Sequence, residues 1–182
     1  MSTTSPYLPE LARAIKAWGR ELGFADVRIA DVDLAHAEAG LQAWLDAGYH
    51  GEMDYMASHG MKRARPDELV PGTVRAIVAR MDYLPMGRDE AWRERERARQ
   101  DEAGAAVVSV YARGRDYHKV LRNRLQALAE KVKAAVGELG FRVFTDSAPV
   151  MELPLAEKAG LGWRGKHTLL LSRAAGSTFF IG

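Results

Sequence analysis

The sequence of 182 residues contains no cysteine. This absence excludes disulfide bonds, thiolate zinc sites, cysteine nucleophiles and iron–sulfur clusters ligated within the chain. Long apolar runs are missing as well, because no stretch approaches the roughly 20 apolar residues of a membrane-spanning helix. The net charge is only +2, so charge alone does not indicate a nucleic-acid partner. These absences favour a soluble, cytoplasmic protein without a membrane segment.

The composition supports a hydrophobic core. Apolar residues make up 47% of the chain, whose length fits one large domain or two small ones. Apolar residues spaced three and four apart predict helices over 6–23, between Asp33 and Gly48, over 116–139 and over 154–159. The charged stretch 88–102 interleaves both signs, which is typical of a solvated helix or a mobile insertion.

Runs of β-branched and apolar residues predict the strands. They lie at 24–30, 73–84, 105–112, 141–146, 167–171 and 177–181. The segment 105–112, AAVVSVYA, predicts a central strand. Because strands alternate with helices, we expect an α/β (α+β) fold with a central mixed sheet flanked by helices.

Most familiar site motifs are absent, including the nucleophile elbow, the HExxH zinc motif and the phosphate-binding P-loop. The glycines of 160–165 match G-x-G-x-x-G, but they lead into a strand rather than a long helix. They favour a bend whose N–H groups approach a large ligand, more than a dinucleotide site. The histidines lack metal-ligand spacing, so no metal site is predicted from His36, His50, His59, His118 and His167.

Asp146 is the carboxylate with the strongest case for chemistry. It ends a predicted strand of apolar residues and begins a polar turn, which is where α/β folds place ligands. Desolvation there would raise its pKa and let it hold a proton for donation. The alternative is an acceptor that stabilises an Asx-turn. The residues alone leave both open.

Two further clusters could bind a ligand. Residues 113–118 lie where a strand is predicted to meet the long helix, and helix N-termini offer free N–H donors. The structural alternative is that Asp116 caps the helix while Tyr117 packs in the core. The basic residues of 62–66 could hold phosphate or amide groups, or could simply belong to a surface loop.

Four stretches resemble a known family: KRARPDELVPGT (62–73), YARGRDYHKVL (111–121), TDSAPVMELPLAEKAGLGWRGKHTLL (145–170) and the terminal FFIG. Their order and spacing are similar to the N-terminal, cobalamin-binding half of epoxyqueuosine reductases, over almost the whole chain. The resemblance implies a cobalamin-binding domain over 1–182, related in architecture to reductive dehalogenases. The implied activity is that of an oxidoreductase that reduces epoxyqueuosine to queuosine in the wobble position of tRNA.

The resemblance also implies roles for residues by position. Asp146 matches the proton donor of the family. His167 stands where the family usually has Asn, and Leu153 where it usually has Arg, so side-chain contacts there are expected to differ. The positions that contact the corrinoid or line its cavity are Arg63, Ser109, Tyr111, Tyr117, His118, Asp146, His167, Leu170 and Ile181.

In that family a ferredoxin-like domain with 4Fe–4S clusters follows this half. The sequence stops at Gly182, before any cysteine-rich segment, so we expect a truncated form or half of a longer product. Such a chain would bind cobalamin as a monomer and be inactive by itself. The implied activity needs an external electron donor and acts on tRNA carrying epoxyqueuosine. The alternatives are a non-catalytic cobalamin-binding module and, more weakly, a plain RNA-binding domain that lacks an aromatic recognition motif.

Overall fold

The fold is that of a computed structural model, which describes residues 7–84 and 89–182. The helices are α1 (Tyr7–Glu21), α2 (Ala35–Asp46), α3 (Tyr55–Ser58), α4 (Pro66–Leu69), α5 (Trp92–Asp101), α6 (Tyr117–Val136) and α7 (Glu152–Lys158). The strands are β1 (Asp26–Ala30), β2 (Ala76–Asp82), β3 (Trp163–Arg164), β4 (Leu170–Leu171) and β5 (Phe179–Ile181). Pro6 and Arg88, each the first residue of a predicted helical segment, lie outside the described residues.

The main sheet has three strands in the order β1-β2-β5. Both pairings are antiparallel, with Ile29 opposite Ile77 and Met81 opposite Phe180. The expected α+β class is confirmed, but the expected mixed sheet is wrong for the described residues, since the small β3-β4 sheet is antiparallel too. Antiparallel neighbours do not require the long crossover connections of a parallel sheet.

Strand β2 separates two hydrophobic clusters. Ala79 and Met81 belong to the first cluster, which contains Ile15 of α1 together with Leu121 and other residues of α6. Val78 points to the opposite face, where the second cluster combines residues of α2, α7 and β5. This arrangement follows from the two-residue period of a strand, which sends successive side chains to opposite faces.

The helix predictions hold for the main elements. The N-cap of α2 is Leu34 rather than the predicted Asp33, whose Oδ1 accepts the N–H of Ala35 over 3.0 Å from the position before the cap. Helix α6 ends at Val136 rather than near Gly140, because Gly137 takes up a left-handed φ of 87° and stops it. The charged stretch forms α5, which has no buried residue, as a solvated helix should.

Two predicted strands are wrong. The segment 105–112 has no sheet partner and contains only a 3-10 turn at Val110–Ala112, while Val107 and Val108 are exposed. The segment 141–146 also stays outside both sheets of the described chain. Apolar β-branched residues indicate a fit to a half-buried pleated surface, but a strand also needs a neighbour for its backbone groups. Here β1 and β5 already flank β2.

The glycine-rich segment 160–165 leads into the two-stranded sheet of β3 and β4. Gly162 lies so close to the Leu171 carbonyl that a Cβ at this position would overlap it. The glycine is therefore required by close backbone packing inside the hairpin. Across residues 7–84 and 89–182, no helix combines the length and apolar character that membrane crossing requires.

Candidate active site

Asp146 lies in the loop between α6 and α7, with its side chain half exposed. Its Oδ2 accepts a hydrogen bond from the Tyr117 hydroxyl over 2.5 Å, and the His118 Nε2 lies 3.5 Å from the same oxygen. The side chain thus contacts α6 rather than the N–H groups of its own turn, which does not fit the Asx-turn alternative. Asp146 also has a positive φ of 55°, a conformation uncommon for residues other than glycine.

Both partners of Asp146 come from the first turn of α6. Asp116 caps this helix, because its Oδ1 accepts the His118 N–H over 3.0 Å. The same oxygen lies 3.0 Å from the His118 Nδ1, which places the imidazole between two carboxylates. The expected cap is confirmed. It also orients the histidine, and its hydrogen bond to His118 holds the pKa of Asp116 below its usual range.

The ring of Tyr117 belongs to a cluster of aromatic side chains. Its ring lies parallel to that of Phe180 with centroids 3.9 Å apart, and Tyr83 and Tyr111 approach the same Phe180 ring at 4.9 and 6.5 Å. Burial raises the pKa of the Tyr117 phenol, and the hydrogen bond to Asp146 raises it further. Tyr117 therefore keeps its proton at physiological pH and serves as a hydrogen-bond donor.

Glu152, the first residue of α7, is a second carboxyl at this site. Its Oε1 accepts the main-chain N–H of Asp146 over 3.1 Å. Burial raises the pKa of Glu152 to about 7, and the nearby charge of Asp146 contributes to the shift. The sequence predicts a desolvated carboxyl at Asp146, whereas in the structure Asp146 is half exposed and the more deeply buried carboxyl is Glu152.

A surface depression adjoins the Asp146 loop. It is lined by Arg122, Gln126, Phe141, Arg142, Val143, Phe144 and Ser147. In the described part of the chain, neither arginine forms an ion pair with a carboxylate. The depression therefore has two arginines without a carboxylate partner in its lining, and the Arg142 guanidinium lies 5.0 Å from the centroid of the Phe144 ring.

Comparison with known proteins connects this site to one family. The family model "Epoxyqueuosine reductase QueG, DUF1730" matches residues 63–147. An epoxyqueuosine reductase of Burkholderia pseudomallei is 66% identical over 185 residues, which cover 96% of this chain and 45% of that protein. One of Escherichia coli is 57% identical over 175 residues, with 96% and 45% covered. Over 96% of its length the chain is therefore similar to part of two epoxyqueuosine reductases.

The chain spans about 45% of the length of these two epoxyqueuosine reductases. A crystal structure of epoxyqueuosine reductase with an epoxyqueuosine-modified tRNA-Tyr stem loop aligns with a TM-score of 0.74 at 18% identity. That alignment covers 95% of this chain and 44% of the other. At such low identity the likeness shows the fold, an α+β arrangement of helices around a small sheet.

The structure brings together only some of the residues that resemblance to epoxyqueuosine reductases predicted. Tyr111 contacts Tyr117 edge-on with centroids 6.4 Å apart, and Ser109 is exposed two residues before it. Leu170 is buried in the second cluster, against which Ile181 packs. For the described residues, no hydrogen bond or ring contact joins the exposed His167 to this group.

Arg63 is built into the fold. Its guanidinium donates hydrogen bonds to the carbonyls of Met56 and Tyr55 over 3.0 and 2.7 Å, and the residue is buried. Its own carbonyl accepts the N–H of Met151, the neighbour of Glu152. Arg63 therefore ties the 55–56 segment to the start of α7, and its predicted cofactor contact stays a prediction.

Sequence reasoning missed Glu152 and the Phe180 ring beneath Tyr117. For Glu152 a signal existed, because a single acid stands inside the apolar run V-M-E-L-P-L of 150–155. An acid in such a run is expected to be desolvated. For Phe180 the signal was absent, because only the tertiary fold brings β5 against the first turn of α6. No group of three potential metal ligands occurs within 7–84 and 89–182.

Proposed function

We propose that this chain is the cofactor-binding part of a tRNA epoxyqueuosine reductase, with Asp146 as the proton donor. The main support is the position of the half-exposed Asp146 carboxyl, which accepts a hydrogen bond from Tyr117 and lies 3.5 Å from the His118 Nε2. The names of relatives that are 57 to 66% identical support the substrate. A tRNA substrate also favours action in the cytoplasm, and we propose a monomer.

The described residues fit cobalamin. A corrin ring needs a broad surface that accepts apolar edges as well as amide groups. The ring of Tyr111, which contacts Tyr117, belongs to a residue that is 50% exposed, and shortly before it in the chain Val108 is 54% exposed and Ser109 is exposed. Exposed apolar patches of this kind mark ligand sites. We propose that this segment and the ring of His118 hold the cofactor, which would supply low-potential electrons when bound.

The residues around Asp146 account for proton transfer. Removal of the epoxide oxygen as water consumes two electrons and two protons. Asp146 would protonate the departing oxygen, which avoids an unprotonated alkoxide. The Tyr117 hydroxyl would stabilise the resulting carboxylate, because it can only donate to it. His118, 3.5 Å from the same oxygen, is placed to return a proton from solvent for the second transfer.

Electrons must reach the site from outside the described residues. We propose that an iron–sulfur domain in the remaining length of the complete enzyme is the donor. Residues 1–182 would then form one cobalamin-binding domain that lacks turnover without that donor. The large share of the relatives' length outside the alignment is consistent with this division.

The cofactor assignment is tested by mixing the purified chain with cob(II)alamin and recording the visible spectrum. We expect a shift to the base-off form. Tyr111→Ala should weaken binding by about threefold to tenfold, because a lost aromatic contact costs roughly 0.5–1.5 kcal/mol. Tyr49→Ala is the matched control, since Tyr49 is 72% exposed and outside the site. An unchanged spectrum would contradict both the reductase and the binding-module hypotheses.

We further propose that the depression at Arg122 and Arg142 takes a phosphate of the substrate RNA. Replacing both arginines with glutamine should lower affinity for a tRNA anticodon stem loop by roughly tenfold and reduce the salt dependence by about one to two phosphate contacts. The measurement is fluorescence anisotropy at several salt concentrations. The control replaces Arg13 and Arg20, exposed on α1, and should leave both quantities unchanged. Equal losses in the two double variants would refute the site.

A further inference from the structure

The main-chain N–H of Asp146 donates a hydrogen bond to the Glu152 side chain. This N–H has no backbone acceptor in the described part of the chain. Its acceptor is the Glu152 Oε1, at a distance of 3.1 Å. Within residues 7–84 and 89–182, no basic side chain forms an ion pair with Glu152. A largely buried carboxyl without a cationic partner does not stabilise the fold by its charge, because desolvation disfavours the ionised form.

The backbone at Asp146 needs such support. Its φ of 55° lies in the left-handed region, which costs a residue with a Cβ roughly 1–2 kcal/mol. Strained conformations of this kind persist when their surroundings over-determine them. Here the conformation matters, because it directs the side chain toward Tyr117 and His118.

We propose that Glu152 is a positioning residue whose carboxylate fixes the Asp146 loop in the orientation used for proton donation. The proposal rests on the proposed function only for the role given to Asp146. When Glu152 is ionised, its hydrogen bond to the Asp146 N–H is charge-assisted and strong. Protonation of Glu152 weakens this hydrogen bond.

The loop should therefore respond to pH near neutrality. The groups that face Glu152 are the Asp146 carboxylate and, behind it, Tyr117 and His118 of α6. Tyr117 stays protonated, so it does not titrate in this range. Since the pKa of Glu152 is raised to about 7, its carboxylate gains full charge only above that pH. Order at Asp146 is thus expected to increase as pH rises through 7.

The test follows the Asp146 amide of the 182-residue chain by ¹⁵N–¹H NMR from pH 5.5 to 8.5. We expect a titration step with a midpoint near pH 7. The step should persist in His118→Gln, which removes the neighbouring imidazole, and vanish in Glu152→Gln. The matched control is Glu157→Gln on the same helix, whose carboxylate accepts the Arg164 N–H instead. That variant should keep the step.

A step that survives in Glu152→Gln, or one that is absent from the unmodified chain, overturns the proposal. If Glu152→Gln does not fold, the Glu152 carboxyl carbon of the unmodified chain is titrated directly by ¹³C NMR. Its midpoint must equal that of the Asp146 amide, and unequal midpoints reject the positioning role. None of these measurements needs turnover, so failure of the reductase assignment would be recognised separately.

Discussion

Asp146→Asn in the complete enzyme is expected to lower turnover by about 10²–10⁴-fold, the usual contribution of one positioned proton donor. The amide keeps the size of the carboxyl and can still accept the Tyr117 hydrogen bond. It cannot transfer a proton to the departing oxygen. Binding of cobalamin and of the tRNA stem loop should therefore stay within about threefold of the unmodified enzyme, as measured by spectral titration and anisotropy.

The matched control for this prediction is Ser147→Ala, one residue further along the same loop. At saturating tRNA it should leave turnover nearly unchanged, since Ser147 lines the depression proposed to bind a phosphate and its hydroxyl is not the proton donor. Full turnover by Asp146→Asn would remove the proton-donor role. Equal losses of turnover in the two variants would show that any substitution in this loop impairs the enzyme. The proton-donor role of the Asp146 carboxyl would then be contradicted.

Leu121→Ala should reduce the free energy of unfolding by about 2–5 kcal/mol. Leu121 lies one helical turn after Tyr117 and is completely buried against the sheet. Its truncation removes apolar contacts and leaves a cavity that a rigid helix cannot close. The loss is measured by urea unfolding of the 182-residue chain, followed by circular dichroism.

Leu169→Ala provides the comparison, because Leu169 is 52% exposed and should cost less than about 1 kcal/mol. Similar losses for the two leucines would contradict the packing described for α6. A large loss for Leu121→Ala should also disturb the spectral signature of bound cobalamin, because the helix carries Tyr117 and His118.

Helices were predictable from the sequence because their signals are local. The apolar stripe of α6 and the capping residue Asp116 are both encoded within the helix itself. Strands were harder, because pairing depends on distant segments. Residues 105–112 have strong strand composition and still find no partner, since β5 occupies the free edge of β2.

The candidate site shows the same division. Asp146 could be singled out from the sequence by its position after an apolar run, and the resemblance named it independently. The apolar run around Glu152 indicates that its carboxyl is desolvated, but its hydrogen bond to the Asp146 N–H depends on how α7 packs against the Asp146 loop. Nor could the stack of Tyr117 on Phe180, which joins residues 63 positions apart in the chain.

Strand β2 contributes alternate side chains to both hydrophobic clusters. Unfolding of either cluster would expose the apolar side chains on one face of this strand to water. The chain should consequently unfold in a single cooperative thermal transition. A destabilising substitution in α2 or α7 should also perturb the stack of Tyr117 and Phe180 on the other face of the sheet. A substitution remote from Asp146 can in this way alter chemistry through shared backbone alone.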